Sequence, residues 1–124
     1  MLAWSWGLSQ EGGSPGGGGG GAGRVNIENV SIQKLVDLAS PLLLSFSATG
    51  KHISDGTLTT SKAGKAGGEF LLFKMSNVIV TSVHVAASQD GNAPTESITL
   101  SFGKVEFNYK DKSFKFDVTG GKPV

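Results

Sequence analysis

Leu2-Ala3-Trp4-Ser5-Trp6-Gly7-Leu8-Ser9 is the stretch that decides the fold of this 124-residue chain. Bulky apolar and small side chains alternate along it, which is the period-two pattern of a strand with one buried face. The bulky face comprises Leu2, Trp4, Trp6 and Leu8. The small face comprises Ala3, Ser5, Gly7 and Ser9. We expect the indoles to enter a β-core and the small residues, which leave the backbone uncovered, to line a space.

The length and composition of the chain indicate one globular domain. A domain of this size buries roughly two-thirds of the surface that its unfolded chain exposes, which is enough for one core. The formal net charge is +1, without a clustered basic face, so the sequence predicts no nucleic-acid partner. Cysteine is absent, which excludes disulfides and thiolate metal sites. No apolar run reaches the ~18 residues of a membrane span, so we expect no membrane insertion and no cleavable signal peptide.

A glycine-rich tract at 12–23 follows the first strand. Such a tract has no side chains to bury and much backbone entropy to lose, so we predict an exposed loop. A phosphate cradle would need a Lys-Ser/Thr ending and a following helix, whereas Arg24-Val25-Asn26-Ile27 reads as a strand. The segment 64–68 fails the same test and is also predicted to be a loop.

One helix is predicted, with Ser40 as its N-cap, Pro41 at its first helical position and Gly50 as its stop. Its buried face would carry Leu42, Leu43 and Phe46.

The remaining segments read as strands. Val25 and Ile27 are out of phase with Val30 and Ile32, which predicts a bend near Glu28-Asn29 that points both pairs inward. Later strands are predicted at 57–62, 69–87 (bending near 76–77), 97–110 and 114–118. The apolar phase of 97–110 changes at Gly103, which we interpret as a bulge. The fold class is therefore mainly β: an antiparallel barrel or sandwich of two sheets with one short flanking helix.

Catalytic signals are weak. His52 and His84 are the only imidazoles, and neither has a metal-ligand spacing. There is no Gly-x-Ser-x-Gly elbow, and the aspartates lie at predicted turns, where Asp commonly caps backbone N–H groups. We predict no enzyme, no cofactor and no metal.

Several short motifs, spread over nearly the whole chain, occur in the order that one protein family shows. They are Leu2-Ala3-Trp4-Ser5-Trp6-Gly7-Leu8-Ser9-Gln10, Gly21-Ala22-Gly23-Arg24-Val25-Asn26, Ala39-Ser40-Pro41, Thr49-Gly50-Lys51-His52, Lys62-Ala63-Gly64, Val80-Thr81-Ser82-Val83 and Thr95-Glu96-Ser97-Ile98-Thr99-Leu100. Together they strongly resemble the haemolysin-coregulated protein (Hcp) family, the tube proteins of bacterial type VI secretion.

The resemblance implies a β-barrel subunit that closes into hexameric rings, which stack into a hollow tube. The implied partners are further copies of the chain, a sheath, a spike and small effector proteins carried in the lumen. Such a protein passes from the bacterial cytoplasm into a target cell without a cleavable signal peptide. Lumen and effector contacts would fall on Ala3, Ser5, Gly7 and Ser9. Ring stacking would involve the loop residues Gly12, Gly16, Gly18, Gly20 and Gly23.

Two departures from the family pattern are expected to matter. Family members usually carry a strand before the tryptophan strand and another after a segment like Gly121-Lys122-Pro123-Val124, so this chain resembles a form truncated at both ends. The alternative interpretation is a secreted β-sandwich binding module for carbohydrate or protein, with Trp4 or Trp6 as a stacking platform.

Overall fold

The computed structural model describes residues 3–11, 24–61 and 69–123. The predicted loops at 12–23 and 64–68 lie outside these ranges. The described strands are β1 (Ala3–Ser5), β2 (Leu8–Glu11), β3 (Arg24–Ile27), β4 (Val30–Leu35), β5 (His52–Ser61), β6 (Glu69–Ala86), β7 (Thr95–Tyr109), β8 (Lys112–Asp117) and β9 (Lys122–Pro123). The helix α1 spans Ser40–Thr49.

The described strands form two antiparallel sheets. The larger has the order β1-β4-β7-β6-β5, with β8 paired to the far half of β7 and β9 paired to β8. The smaller is the β2-β3 pair. The predicted class, two antiparallel sheets with one flanking helix, is confirmed as a sandwich.

The first strand changes sheets, which the sequence pattern did not predict. β1 pairs with β4 and ends at Ser5, whereas β2 pairs with β3 and begins at Leu8. Two residues (6–7) connect β1 to β2, whereas three (28–30) separate the residues that pair with them, Ile27 and Ser31. One extra residue therefore lies near Glu28-Asn29. The predicted bend is thus confirmed. Its consequence for Leu8 and Val25 was predicted wrongly, because both side chains are exposed on the smaller sheet.

Phe73 is the centre of the core. Its side chain has no exposed surface, and the rings of Trp4 and Trp6 lie 5.4 and 4.9 Å from it between centroids. Trp6 also contacts Phe102 at 6.3 Å. Edge-to-face and tilted aromatic pairs of this kind add to the stabilisation that burial provides. The indoles therefore point inward, as the alternation predicts.

On the long strands β6 and β7, the alternation of inward and outward side chains shifts by one residue at neighbouring positions, Asn77 and Gly103. On β6 the inward residues are Phe73 and Met75, then Val78 and Val80, because Asn77 adopts the left-handed backbone (φ 54°). Gly103 lies beside it on β7, where a Cβ would meet the Asn77 Cβ at 3.4 Å. The bend near 76–77 is confirmed. The bulge assigned to Gly103 is wrong, because the pairing register shifts instead between Val80 and Ser82.

The helix is confirmed, but its start differs from the prediction. Ala39 occupies the N-cap position without a side-chain cap, and Ser40 is a buried helical residue that bonds to Glu96. Leu43 and Phe46 pack on the core as predicted, whereas Leu42 is exposed. Gly50 ends the helix with φ 65°, the left-handed conformation that glycine adopts at little cost. The following strand, predicted from residue 57, begins at His52.

Candidate functional site

In the half of the large sheet where β1, β4, β7 and β6 lie side by side, the outward face carries uncharged and mostly small side chains. Two cross-strand rows define it, and we call these eight residues the neutral face. The first row is Ala3, Gln33, Ser97 and His84. The second row is Ser5, Ser31, Thr99 and Ser82. None is Asp, Glu, Lys or Arg, and six are exposed, Thr99 and Ser82 being half-buried.

Hydroxyl groups bond to one another within this face. Thr81 and Ser82 both reach the Thr99 hydroxyl, at 2.7 and 2.6 Å between oxygens. The Thr81 hydroxyl also donates to the Thr99 carbonyl at 3.0 Å. The register shift between Val80 and Ser82 brings two consecutive side chains to one partner, as bulges do. These hydrogen bonds therefore tie β6 to β7 at one side of the face.

The reverse side of the same four strands is apolar, and this fixes the orientation of the neutral face. Trp4, Ile32, Ile98 and Val83 form the inward row between the two outward ones. Ile32 and Ile98 are buried, and Trp4 donates from its indole Nε1 to the Thr60 hydroxyl at 3.3 Å. Rotating β1 would place an indole in water, so Ala3 and Ser5 stay outside.

The four predicted lumen residues do not form one surface. Ala3 and Ser5 lie exposed on the neutral face. Gly7 lies at the change of sheet, where a Cβ would stand 3.4 Å from a Glu28 carboxylate oxygen. Ser9 is exposed on the smaller sheet, opposite Asn26. The predicted stacking residues Gly12, Gly16, Gly18, Gly20 and Gly23 lie outside the described residues.

Six further members of the neutral face were missed by the sequence reasoning. Four of them alternate with buried apolar residues, and this alternation could have predicted that they face outward: Ser31 and Gln33 alternate with Val30 and Ile32, and Ser97 and Thr99 flank Ile98. Their alignment with Ser5 depends on strand register, which the local pattern does not contain.

The other half of the large sheet presents a charged outward face. Lys74, Glu106 and Lys115 stand side by side in one row, and Lys104 and Asp117 stand side by side in the next. A shallow polar depression of about 530 Å³ lies over these rows. The outer surface thus divides into a neutral half and a charged half along the Asn77–Gly103 line.

Neither histidine belongs to a cluster that could hold a metal among the residues that the structure describes. His84 is exposed on the neutral face, as a solvated strand residue, and His52 Nδ1 lies 2.7 Å from the Asn77 amide oxygen. Over the ranges 3–11, 24–61 and 69–123, no group of three His, Asp or Glu side chains converges. Asp37, Asp90 and Asp117 accept backbone N–H bonds in turns, as predicted. The same prediction is wrong for Asp55, which lies within β5 opposite Ser76 because this strand begins five residues earlier than expected. Within the same ranges, no helix has the length and apolar character to cross a bilayer.

A buried ionic cluster adjoins the edge of the neutral face. Glu96 is buried, and one carboxylate oxygen (Oε1) accepts from Lys34 Nζ at 2.6 Å and from the Ser40 hydroxyl at 2.9 Å. Lys34 also contacts Asp37 at 2.8 Å. Burial disfavours the Lys34 ammonium, but hydrogen bonds and attraction from Asp37 and Glu96 outweigh it and raise the pKa of Lys34. The hydrogen bond from Lys34 lowers the pKa of Asp37.

The tryptophans are not arranged as a binding platform. Their rings pack on Phe73 and are half-buried, so neither ring stands free on the surface for a sugar to stack on. The alternative interpretation, a binding module with Trp4 or Trp6 as a stacking platform, is therefore not supported by these two rings.

Comparison with known proteins agrees with this geometry. The family model described as "Type VI secretion system effector, Hcp" matches residues 1–109. Protein hcp1 of Pseudomonas aeruginosa is 38% identical over 122 residues, covering 98% of this chain and 75% of that protein. The crystal structure of Hcp1 from Salmonella typhimurium superposes with a TM-score of 0.83 at 30% identity, covering 99% of this chain and 82% of that one. A type VI secretion system effector from Yersinia pestis gives a TM-score of 0.76 at 30% identity, with 94% and 81% covered. The chain belongs to the Hcp family of type VI secretion proteins.

Proposed function

We propose that this chain is the tube subunit of a type VI secretion system and has no catalytic role. Six copies close into a ring, rings stack into a hollow tube, and the neutral face lines the lumen. The tube travels from the bacterial cytoplasm into a target cell, driven by a sheath and tipped by a spike, and carries small effector proteins.

The observation that supports this proposal is the neutral face itself. In a ring of six copies, each charged side chain on the lumen wall would be repeated six times and focused into a strong field. An apolar wall would instead adhere to its cargo or to other chains. Hydroxyl and small side chains avoid both outcomes, and their rotatable donors and acceptors suit cargoes of different sequence.

The proposal assigns Ala3 and Ser5 to the lumen wall together with Ser31. Gly7 and Ser9, beyond the change of sheet, would contact cargo only near the rim of the ring. The glycine-rich tract at 12–23, including Gly12, Gly16, Gly18, Gly20 and Gly23, is retained as the proposed stacking loop because in sequence it joins the antiparallel strands β2 and β3.

Native mass spectrometry tests ring closure by counting the copies in the purified assembly. Ser5→Cys and Thr57→Cys variants then test which face lines the ring, because the natural chain has no cysteine. Both positions are exposed in the single subunit, Thr57 beside the charged half. A bulky polymer maleimide should label Ser5→Cys more slowly than Thr57→Cys in rings and at similar rates after dissociation. Equal rates in intact rings would refute the lumen assignment, and monomers alone would refute ring closure.

A further inference from the structure

One residue of the neutral face differs from the other seven in its acid–base chemistry. His84 lies at the β6 end of the row that begins at Ala3, and its side chain is exposed. The other seven residues carry methyl, hydroxyl or amide groups, which neither gain nor lose a proton near neutral pH. Histidine is the side chain whose charge ordinarily changes between pH 5 and 8. Acidification therefore adds positive charge to this face at one position in each copy.

The strand opposite His84 offers it no carboxylate on the outward side. Ser97 of β7 pairs with His84, and the outward residues on either side of Ser97 are threonines. Glu96 points to the inward side, where it is buried and accepts from Lys34 at 2.6 Å. The sheet therefore separates this ion pair from the imidazole.

The other elements near this end of β6 do not supply a counter-ion either. The helix α1 packs against β6, and none of its ten residues is ionisable. Lys51, just beyond the helix, lies 5.3 Å from the centre of the Phe46 ring, and Asp90, in the loop after β6, accepts the Asn92 N–H. Among the residues that the structure describes, both ion pairs are made by Lys34, and neither includes His84. A protonated His84 is thus uncompensated within the described part of the subunit.

Ring closure would multiply this charge. If the neutral face lines the lumen, six copies of His84 stand on one wall whose remaining residues carry no charge. Charges of one sign in a cavity focus the field and raise the local concentration of counter-ions. An acidic cargo supplies the counter-charge that the subunit lacks, whereas a basic cargo is repelled.

We infer that His84 makes cargo retention dependent on pH, so that the lumen holds acidic effector proteins more tightly below about pH 6 than above about pH 7. The inference rests on the proposed function, because it needs the neutral face to line a ring. Binding and protonation are linked, so an acidic cargo must in turn promote proton uptake by His84.

A binding titration on assembled rings tests the inference with a probe of known charge. The probe is an oligo-aspartate peptide with a pH-insensitive dye, and its binding is read by fluorescence anisotropy at about pH 5.5 and about pH 7.5. The peptide stays ionised over this interval, so a change in affinity arises from the protein. Natural rings should bind it about fivefold to thirtyfold more tightly at the lower pH, as expected from one or two of the stronger exposed ion contacts.

The two histidines of the chain provide a matched pair of variants. His84→Gln should remove the pH dependence, and His84→Lys should bind the peptide tightly at both pH values. His52→Gln is the control, because His52 lies off the neutral face with its Nδ1 2.7 Å from the Asn77 amide oxygen. This control should keep the full pH dependence. Native mass spectrometry counts the copies in each variant's assembly.

Calorimetry gives a second measurement that needs no variant. Titrating natural rings with the peptide near pH 6, in two buffers of different ionisation enthalpy, measures the protons taken up on binding. The inference predicts net uptake, because the acidic peptide favours the protonated imidazole.

The outcomes separate this inference from the proposed function. Rings of six that bind the peptide equally at both pH values would overturn the inference alone. So would a pH dependence that survives in His84→Gln, one that disappears in His52→Gln, or binding without proton uptake. Single subunits at both pH values would refute ring closure, and the inference with it.

Discussion

Breaking the Lys34–Glu96 pair should destabilise the subunit far more than removing any exposed lysine. Glu96 is 1% exposed, and the Lys34 side chain is 14% exposed, so both charges are largely removed from water. Lys34→Met keeps most of the aliphatic volume but leaves the carboxylate buried without its cation. Removing one partner of a buried pair costs about 3–5 kcal/mol, because the remaining charge is uncompensated.

The measurement is urea-induced unfolding at pH 7, followed by tryptophan fluorescence. Lys74→Met, on the exposed charged face, is the control and should change the free energy of unfolding by less than about 0.5 kcal/mol. The double variant Lys34→Met/Glu96→Leu should recover most of the loss, since replacing a whole buried pair with apolar groups is often close to neutral. A Lys34→Met cost below about 1 kcal/mol, or a double variant no better than the single one, would refute this account of the cluster.

Three further predictions concern the core, the turn and the helix end. Phe73→Ala should lower the free energy of unfolding by about 3–5 kcal/mol and shift the emission of Trp4 and Trp6 to the red, because both indoles lose their main ring contact; unchanged emission would contradict the packing. The folded state lowers the pKa of Asp37, so its contribution to stability is present above the unfolded-state pKa and is lost on acidification; Asp37→Asn should therefore flatten the fall in stability of the natural chain below about pH 4, as measured by urea unfolding across pH. Gly50→Ala should cost about 1 kcal/mol from left-handed backbone strain alone, since a Cβ there meets nothing within 4 Å, and a thermal melt unchanged from that of the natural chain would contradict this.

Sequence alternation was sufficient to orient β1 but not to place its end. The indoles point inward and Ala3 and Ser5 outward because a strand's side chains alternate whatever its partner is. The change of sheet after Ser5 depends on an extra residue some 23 positions later, near Glu28-Asn29, so no local pattern could reveal it.

Ser40 shows how a distant contact overrides a local signal. A serine before proline is a typical N-cap, yet here its hydroxyl bonds to Glu96, 56 residues away, and Ala39 takes the cap position. Pairing between distant strands likewise aligns Ser31 and Thr99 with Ser5. The individual strands of the neutral face could be predicted, whereas the face itself depends on register.

The most direct test of the central claim is a cryo-electron microscopy reconstruction of the assembled protein. The account predicts rings of six copies with Ser5, Ser31 and Thr99 facing the central hole and the Lys74–Glu106–Lys115 row away from it. Particles that are single subunits at high concentration, or rings with the charged row facing the hole, would contradict it.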